Sequence, residues 1–152
     1  MTRVLYFAYG SNMRTARLRA RVGPVRAVGP ARLPGHALRT DKPGRDGTAK
    51  ANLRPSPGAV VHGVVFELGE GALEILDGFE GGYRRTRVEV VLAAGERAEA
   101  VTYVSERHGP DNRLAADYLA YLIAGAREHG LPDAWISLLE ALPRRGPDRW
   151  AG

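Results

Sequence analysis

Two short stretches of this sequence hold residue types able to move a proton or stabilise an anion. One is Glu80, which follows a helical stretch and stands between Gly78 and Gly81-Gly82. A carboxylate at a helix C-terminus meets the unfavourable end of the helix dipole, which raises its pKa, as does burial beneath strands. A raised pKa suits a general acid or base near neutral pH. The sequence leaves the opposite case open, because a solvated Glu80 paired with Arg84 or Arg85 would have its pKa lowered. The other stretch is Tyr9-Gly10-Ser11-Asn12, a strand end running into a helix. The start of such a helix leaves backbone N–H groups without helical acceptors, and these can converge on an oxyanion. An ordinary helix cap by Ser11 or Asn12 is the alternative there.

Other chemistries find little support. The chain has no cysteine, which removes disulfides, thiolate metal sites and cysteine nucleophiles. His36, His62, His108 and His129 lack metal-ligand spacing and read as surface or strand residues, so no metal and no cofactor is expected. Gly10-Ser11 lacks the flanking pattern of a nucleophile elbow or a phosphate-binding loop.

These stretches need elements to hold them. Val4 to Tyr9 is a β-branched and aromatic run that reads as a strand, followed by a helix over Met13 to Arg21. Gly29-Pro30 and Pro34-Gly35 predict a loop and then a strand through His36 to Thr40. Asp41 to Gly47 reads as a loop, Ala49 to Leu53 as a short strand and Pro55 to Gly58 as a turn. Val60 to Leu68 is the clearest strand, and Gly63 within it suggests a bulge or a close backbone approach. Glu70 to Phe79 predicts a short helix with Ala72, Leu73, Ile75 and Leu76 toward a core. Strands follow over Arg84 to Leu92 and Ala98 to Val104. Asp111 or Asn112 is placed to cap a helix to about Glu128, striped by Ala115, Tyr118, Leu119, Leu122 and Ala126. Gly130 ends it, and Asp133 caps a last short helix. Strands first and helices last argue for an α+β domain over 1–142, with a loose Pro/Arg/Gly-rich tail over 143–152.

The 152-residue length fits one core, and 44% hydrophobic residues is ordinary for a globular protein. The net charge is +5, and all but two of the 22 basic residues are Arg. The densest run, Arg14, Arg17, Arg19 and Arg21, has no interleaved aromatics and no reading-helix motif, which disfavours a nucleic-acid partner. With no apolar run long enough for a bilayer and no leader-like start, no membrane partner and a cytoplasmic setting are expected.

In combination, the motifs resemble the γ-glutamylcyclotransferase family. The resemblance lies in Phe7-Ala8-Tyr9-Gly10-Ser11-Asn12-Met13, in Ser56-Pro57-Gly58 with Val61-His62-Gly63-Val64-Val65-Phe66, and in Leu76-Asp77-Gly78-Phe79-Glu80-Gly81. It continues through Thr102-Tyr103 and Gly125 to Pro132, in order along nearly the whole chain. It implies a small mixed β-barrel flanked by helices, with the site at one mouth. It also implies Glu80 as the acid/base, the Tyr9–Asn12 turn as the binding loop, and Tyr83, Tyr103 and Tyr118 as pocket tyrosines. The implied partner is a small-molecule γ-glutamyl substrate, bound by a monomer or homodimer. Asn12 departs from the glutathione-specific branch, which carries another residue there.

The reaction so implied needs no water or cofactor. The α-amine of a γ-glutamyl group closes on its own γ-carbonyl, releasing 5-oxoproline and an amino acid or amine. Glu80 would take the amine proton and return one to the leaving nitrogen, while the turn's N–H groups would meet the oxyanion. The segment Asp41 to Gly47 is the candidate lining of the leaving-group side. A non-catalytic module binding small carboxylates on the same fold is the alternative.

Overall fold

The computed structural model describes residues 3–146. Five strands make a closed ring. They are β1 (Val4–Ala8), β2 (Val25–Pro43), β3 (Ala49–Leu68), β4 (Arg84–Leu92) and β5 (Arg97–Val104). β1 pairs with β5 in parallel, at Tyr6 opposite Val101. The pairs β5–β4, β4–β2, β2–β3 and β3–β1 are antiparallel and close the barrel. Two-residue strands β6 (Leu114–Ala115) and β7 (Arg144–Arg145) extend β3 in parallel. Closure removes the exposed sheet edges that an open sheet of this size would carry. Helices α1 (Thr15–Val22), α2 (Ala72–Phe79), α3 (Ala116–Glu128) and α4 (Asp133–Glu140) flank the barrel. The α+β mixed barrel implied by the resemblance is the observed fold.

Phe7, Leu33, Leu53, Val64, Phe66 and Val90 are among the barrel residues that fill the core. Leu18, Leu76, Leu119, Leu122 and Leu139 cover it from the helices. The approach of β1 to β3 is tight at Gly63. A Cβ there would lie 2.4 Å from the Ala8 carbonyl oxygen and 2.7 Å from the Phe7 ring. The helix side has a similar contact at Gly125 of α3, where a Cβ would lie 2.6 Å from Met13 Cβ. That contact sets α3 directly against the Gly10-Ser11-Asn12 turn.

Several expected boundaries move. The Pro/Gly punctuation of residues 28–58 does not break the chain into short strands. β2 and β3 instead run 19 and 20 residues, with register shifts between Ala27 and Gly29, Pro34 and His36, and Arg39 and Lys42. Proline and glycine are tolerated because they sit at or beside bulges, where ladder bonds are already interrupted. Gly35, at φ 76°, makes one of them. The expected 41–47 loop shrinks to a turn after Pro43. Ile75 faces outward, 50% exposed, and only Ala72 and Leu76 of that helix are buried.

Neither Asp111 nor Asn112 caps α3, whose N-cap is Ala115. Asp111 pairs with Arg39 and accepts from the Thr40 N–H, fastening the loop to β2. Asp133 is the first residue of α4, and Pro132 holds the cap position. Of the expected tail, Arg144 and Arg145 pair with β6, and residues 147–152 lie outside the described residues. No helix among the described residues is long and apolar enough to cross a membrane.

Candidate active site at one mouth of the barrel

The strand directions bring five chain segments to the same end of the barrel. β1, β2 and β5 finish there, and β3 and β4 begin there. A cavity of about 170 Å³ lies at this mouth. It is smaller than the usual pocket for a drug-sized ligand and suits a group the size of an amino acid.

Glu80 enters from the residue after α2. Its backbone N–H donates to the Leu76 and Asp77 carbonyls, which ends the helix and turns the side chain inward. The side chain is 15% exposed. Burial raises its pKa, against the opposing pull of Arg21, the Asn12 hydrogen bond, Lys42 and Arg17. The alternative pairing with Arg84 or Arg85 does not occur. Arg84 pairs with Glu106, and Arg85 with Asp77 and Glu74.

Asn12 fixes the carboxylate. Its Nδ2 donates to Glu80 Oε1 at 2.9 Å and to the Tyr6 hydroxyl at 3.1 Å, and its Oδ1 accepts from Arg21 at 3.3 Å. A carboxylate only accepts and a guanidinium only donates, so this set of partners allows one orientation of the amide. Arg21 also lies 3.9 Å from Glu80 Oε1. Glu80 Oε2 accepts no hydrogen bond from the described side chains and is free for a reacting group.

The Tyr9–Asn12 turn becomes a short 3-10 turn over Ser11–Met13. The Met13 and Arg14 N–H groups donate to the Gly10 and Ser11 carbonyls, which leaves the Ser11 and Asn12 N–H groups ahead of the first helical acceptor. No side-chain cap forms at Gly10 or Arg14. Instead Arg17 Nε donates to Ser11 Oγ at 3.1 Å. The Tyr118 hydroxyl leaves little room above Gly10, where a Cβ would lie 3.3 Å from it.

All four expected tyrosines line the cavity, but their hydroxyls are used differently. Tyr9 donates to the Tyr103 carbonyl, Tyr83 to the Ala51 carbonyl and Tyr103 to Asp77 Oδ1. Tyr118 accepts from the Ala51 N–H at 3.1 Å and so keeps its own proton for another acceptor. Burial pushes its pKa up to about 12, and it raises those of Tyr6, Tyr9, Tyr83 and Tyr103 too. The phenols are therefore neutral donors at neutral pH.

The sequence did not single out Tyr6, Lys50 or Phe79 as lining residues, it placed Lys42 only within the 41–47 segment expected on the leaving-group side, and it gave Arg17 and Arg21 no place in the site. Arg17 and Arg21 stand one helical turn apart on α1, which places both on the cavity side. Lys42 and Lys50 are the only lysines in the chain. Their ammonium groups lie over the Tyr83 and Tyr118 rings, 4.8 and 4.4 Å from the centroids. That rarity was the available signal. The histidines sit elsewhere: His62 packs on Trp135, and His129 meets Thr15 and Phe66.

Comparison with known proteins fits this geometry. Residues 6–121 match the family model described as gamma-glutamyl cyclotransferase, AIG2-like. No curated protein matches the chain. A solved structure titled gamma-glutamyl cyclotransferase is 27% identical, with a TM-score of 0.89, covering 95% of this chain and 90% of that one. An uncharacterized protein from Homo sapiens is 28% identical over the same shares, with a TM-score of 0.88. A yeast gamma-glutamyl cyclotransferase specific to glutathione shares the fold, at 17% identity and a TM-score of 0.61, covering 91% of this chain and 94% of that one. With the match spanning both the Tyr9–Asn12 turn and Glu80, the chain belongs to the gamma-glutamyl cyclotransferase, AIG2-like family.

Proposed function

We propose that this protein cleaves a γ-glutamyl amide by cyclisation, forming 5-oxoproline and releasing an amino acid or amine. The observation that carries the reading is Glu80: a buried carboxylate with a raised pKa, one oxygen held by Asn12 and the other free at the cavity.

The glutamyl half occupies the tyrosine-lined cavity in a bent conformer, with its α-amine near its γ-carbonyl. Holding two reacting groups in this way contributes about 7–11 kcal/mol to lowering a barrier in favourable cases. Glu80 Oε2 accepts a proton from the α-amine as the nitrogen attacks the carbonyl carbon. The carbonyl oxygen becomes an oxyanion, met by the Ser11 and Asn12 N–H groups and the free Tyr118 hydroxyl proton. Losing one such donor typically costs about 2.7–4 kcal/mol in the transition state. The intermediate collapses as Glu80 returns the proton to the departing nitrogen. The substrate α-carboxylate is the anion that Arg17 and Lys50 suit. Asn12 is a positioning residue, since its side chain is spent on Glu80, Tyr6 and Arg21.

The test is 5-oxoproline release from a panel of γ-glutamyl amino acids, amines and glutathione, with Glu80→Gln as the control. Release by the parent and its loss in the folded variant is the expected result. Binding of γ-glutamyl compounds with no release by the parent would instead identify a carboxylate-binding module.

A further inference from the structure

The cavity does not end at Glu80. Lys42, Phe79 and Gly81 also line a second, wider hollow beside it, which Arg45 and Arg107 complete. Glu80 lines the first cavity, and Lys42, Phe79 and Gly81 line both, so a substrate whose glutamyl half fills the first has the second open to its leaving group. The hollow has three cations and no carboxylate in its lining. Arg84–Glu106 and Arg97–Glu89 are matched pairs on the surface. Arg14, Arg19, Arg32 and Arg113 are single cations among the described residues, and the hollow differs from them in gathering three cations around one concavity. Among the described residues, Lys42, Arg45 and Arg107 make no ion pair within 4.0 Å. At Lys42 burial lowers the ammonium pKa most, the nearby Glu80 opposes it, and Lys50, Arg107 and Arg45 add smaller repulsions that lower it. Three cations around one concavity without a lining carboxylate give it a positive potential that favours an anion.

We propose that the Lys42–Arg45–Arg107 hollow is a leaving-group subsite that selects γ-glutamyl compounds whose leaving amine carries more than one acidic group, such as an acidic amino acid. The proposal rests on the cyclotransferase reading of the same site. Phe79, 53% exposed at the boundary of the two cavities, supplies an apolar wall for the leaving group's aliphatic part. One carboxylate of the leaving amino acid meets Lys42 near the scissile bond, and the second reaches Arg45 and Arg107. A neutral side chain forfeits the second contact, and a cationic one is repelled.

The experiment compares kcat/KM for γ-glutamylglutamate, γ-glutamylglutamine and γ-glutamyllysine joined through the lysine α-amine, since the first two differ only in acid against amide and the third carries a free ammonium side chain. At low salt the acid is expected to exceed the amide by about tenfold and the lysine compound by more. The acid-to-amide ratio is expected to shrink in 0.5 M salt, because exposed charges are screened. It is also expected to fall toward one in an Arg45→Ala/Arg107→Ala double variant, whose circular dichroism and Tm report on folding. A single Arg107→Gln variant, which keeps most of the side-chain volume, is expected to lower the ratio part of the way. An acid-to-amide ratio of one or less in the parent, or one unchanged in both variants, overturns the subsite while leaving the cyclotransferase reading intact. Absence of turnover of all three compounds and of glutathione overturns that reading, and the subsite with it.

Discussion

The outer face of the β4–β5 hairpin and the mouth of the barrel use the same residue type in opposite ways. On the hairpin, Arg87 reaches Glu99 and Arg97 reaches Glu89 diagonally across the strands, and Arg85 binds Asp77 through both carboxylate oxygens. Each cation has its anion, in water. At the mouth, Arg17, Arg21, Lys42 and Lys50 surround a single carboxylate, Glu80, in a cavity that excludes much of the solvent. The two arrangements meet at the end of α2, where Asp77 and Glu80 are three residues apart. Asp77 turns outward to Arg85 and Tyr103, which hold its pKa down. Glu80 turns inward, and burial outweighs its cationic neighbours and raises its pKa. The chemical difference between the two carboxylates comes from direction and solvent, since both belong to one short helix end.

The largest test of that contrast is Glu80→Gln. It keeps the Asn12 contact and removes the proposed proton carrier, and 5-oxoproline release is expected to fall by about 10²–10⁴-fold. Its stability should move the other way. The folded pKa of Glu80 lies above the unfolded value of about 4.3, so between the two the folded state keeps a proton that the unfolded chain has released. Stability therefore falls as pH rises through that window, and the cost persists above it. The variant lacks that cost, so its Tm at pH 7 is expected to equal or exceed the parent's. A marked loss of Tm would mean that Glu80 is a structural anion for its cationic neighbours.

Next in size is Asn12→Ala. It removes a hydrogen bond that favours the ionised carboxylate and frees the side chain to swing. Release is expected to drop by about tenfold or more. The acid limb of kcat/KM should also move to higher pH, because the pKa of Glu80 rises further without that donor. A loss of rate with an unmoved acid limb would make Asn12 important for packing alone. Tyr118→Phe should follow at a similar or smaller size. It removes a donor to the cavity and leaves the Ala51 N–H without its acceptor, a buried loss of about 1–3 kcal/mol. Its rate loss is expected to exceed that of Tyr83→Phe, whose hydroxyl proton already belongs to the Ala51 carbonyl.

The parts of this site that were legible in the sequence were local. Gly10-Ser11-Asn12 and Gly78 to Gly82 announce themselves by chain breaks around polar residues, and the family resemblance tied the two together. Tyr6 and Lys50 were not legible, because each joins the site only when β1 and β3 meet at one mouth, and Lys42 was legible only as a member of the 41–47 segment. Arg17 and Arg21 were visible as part of a basic run, but a run does not say which way its members face. The fold class followed from the order of elements. The strand lengths did not, because Pro and Gly in β2 and β3 look like ends in one dimension and serve as bulges in a closed barrel. Asp111 likewise looked like a cap, and its true partners on β2 lie about seventy residues away in sequence.

The smallest effects belong to the solvated ion pairs of the hairpin face and the α2 end beside it. Asp77→Asn loses the bidentate Arg85 pair, and its Tm at pH 7 is expected to fall by about 2–4 °C. Because the folded pKa of Asp77 is depressed, its stabilisation is present above the ordinary Asp value of about 3.9 and disappears as pH falls through the lower folded value. The gap between parent and variant should therefore close in acid, opposite to the trend at Glu80. Arg87→Ala should do less still. Its partner Glu99 is 3.6 Å away, and the two side chains are 82% and 71% exposed, so water replaces each charge's partner almost fully. A Tm within about 2 °C of the parent and unchanged 5-oxoproline release are expected. Should Arg87→Ala slow release as much as Asn12→Ala does, the division between a solvated, paired face and a buried mouth proposed to do the chemistry would not hold, and the charge of the whole barrel would have to be counted in the chemistry.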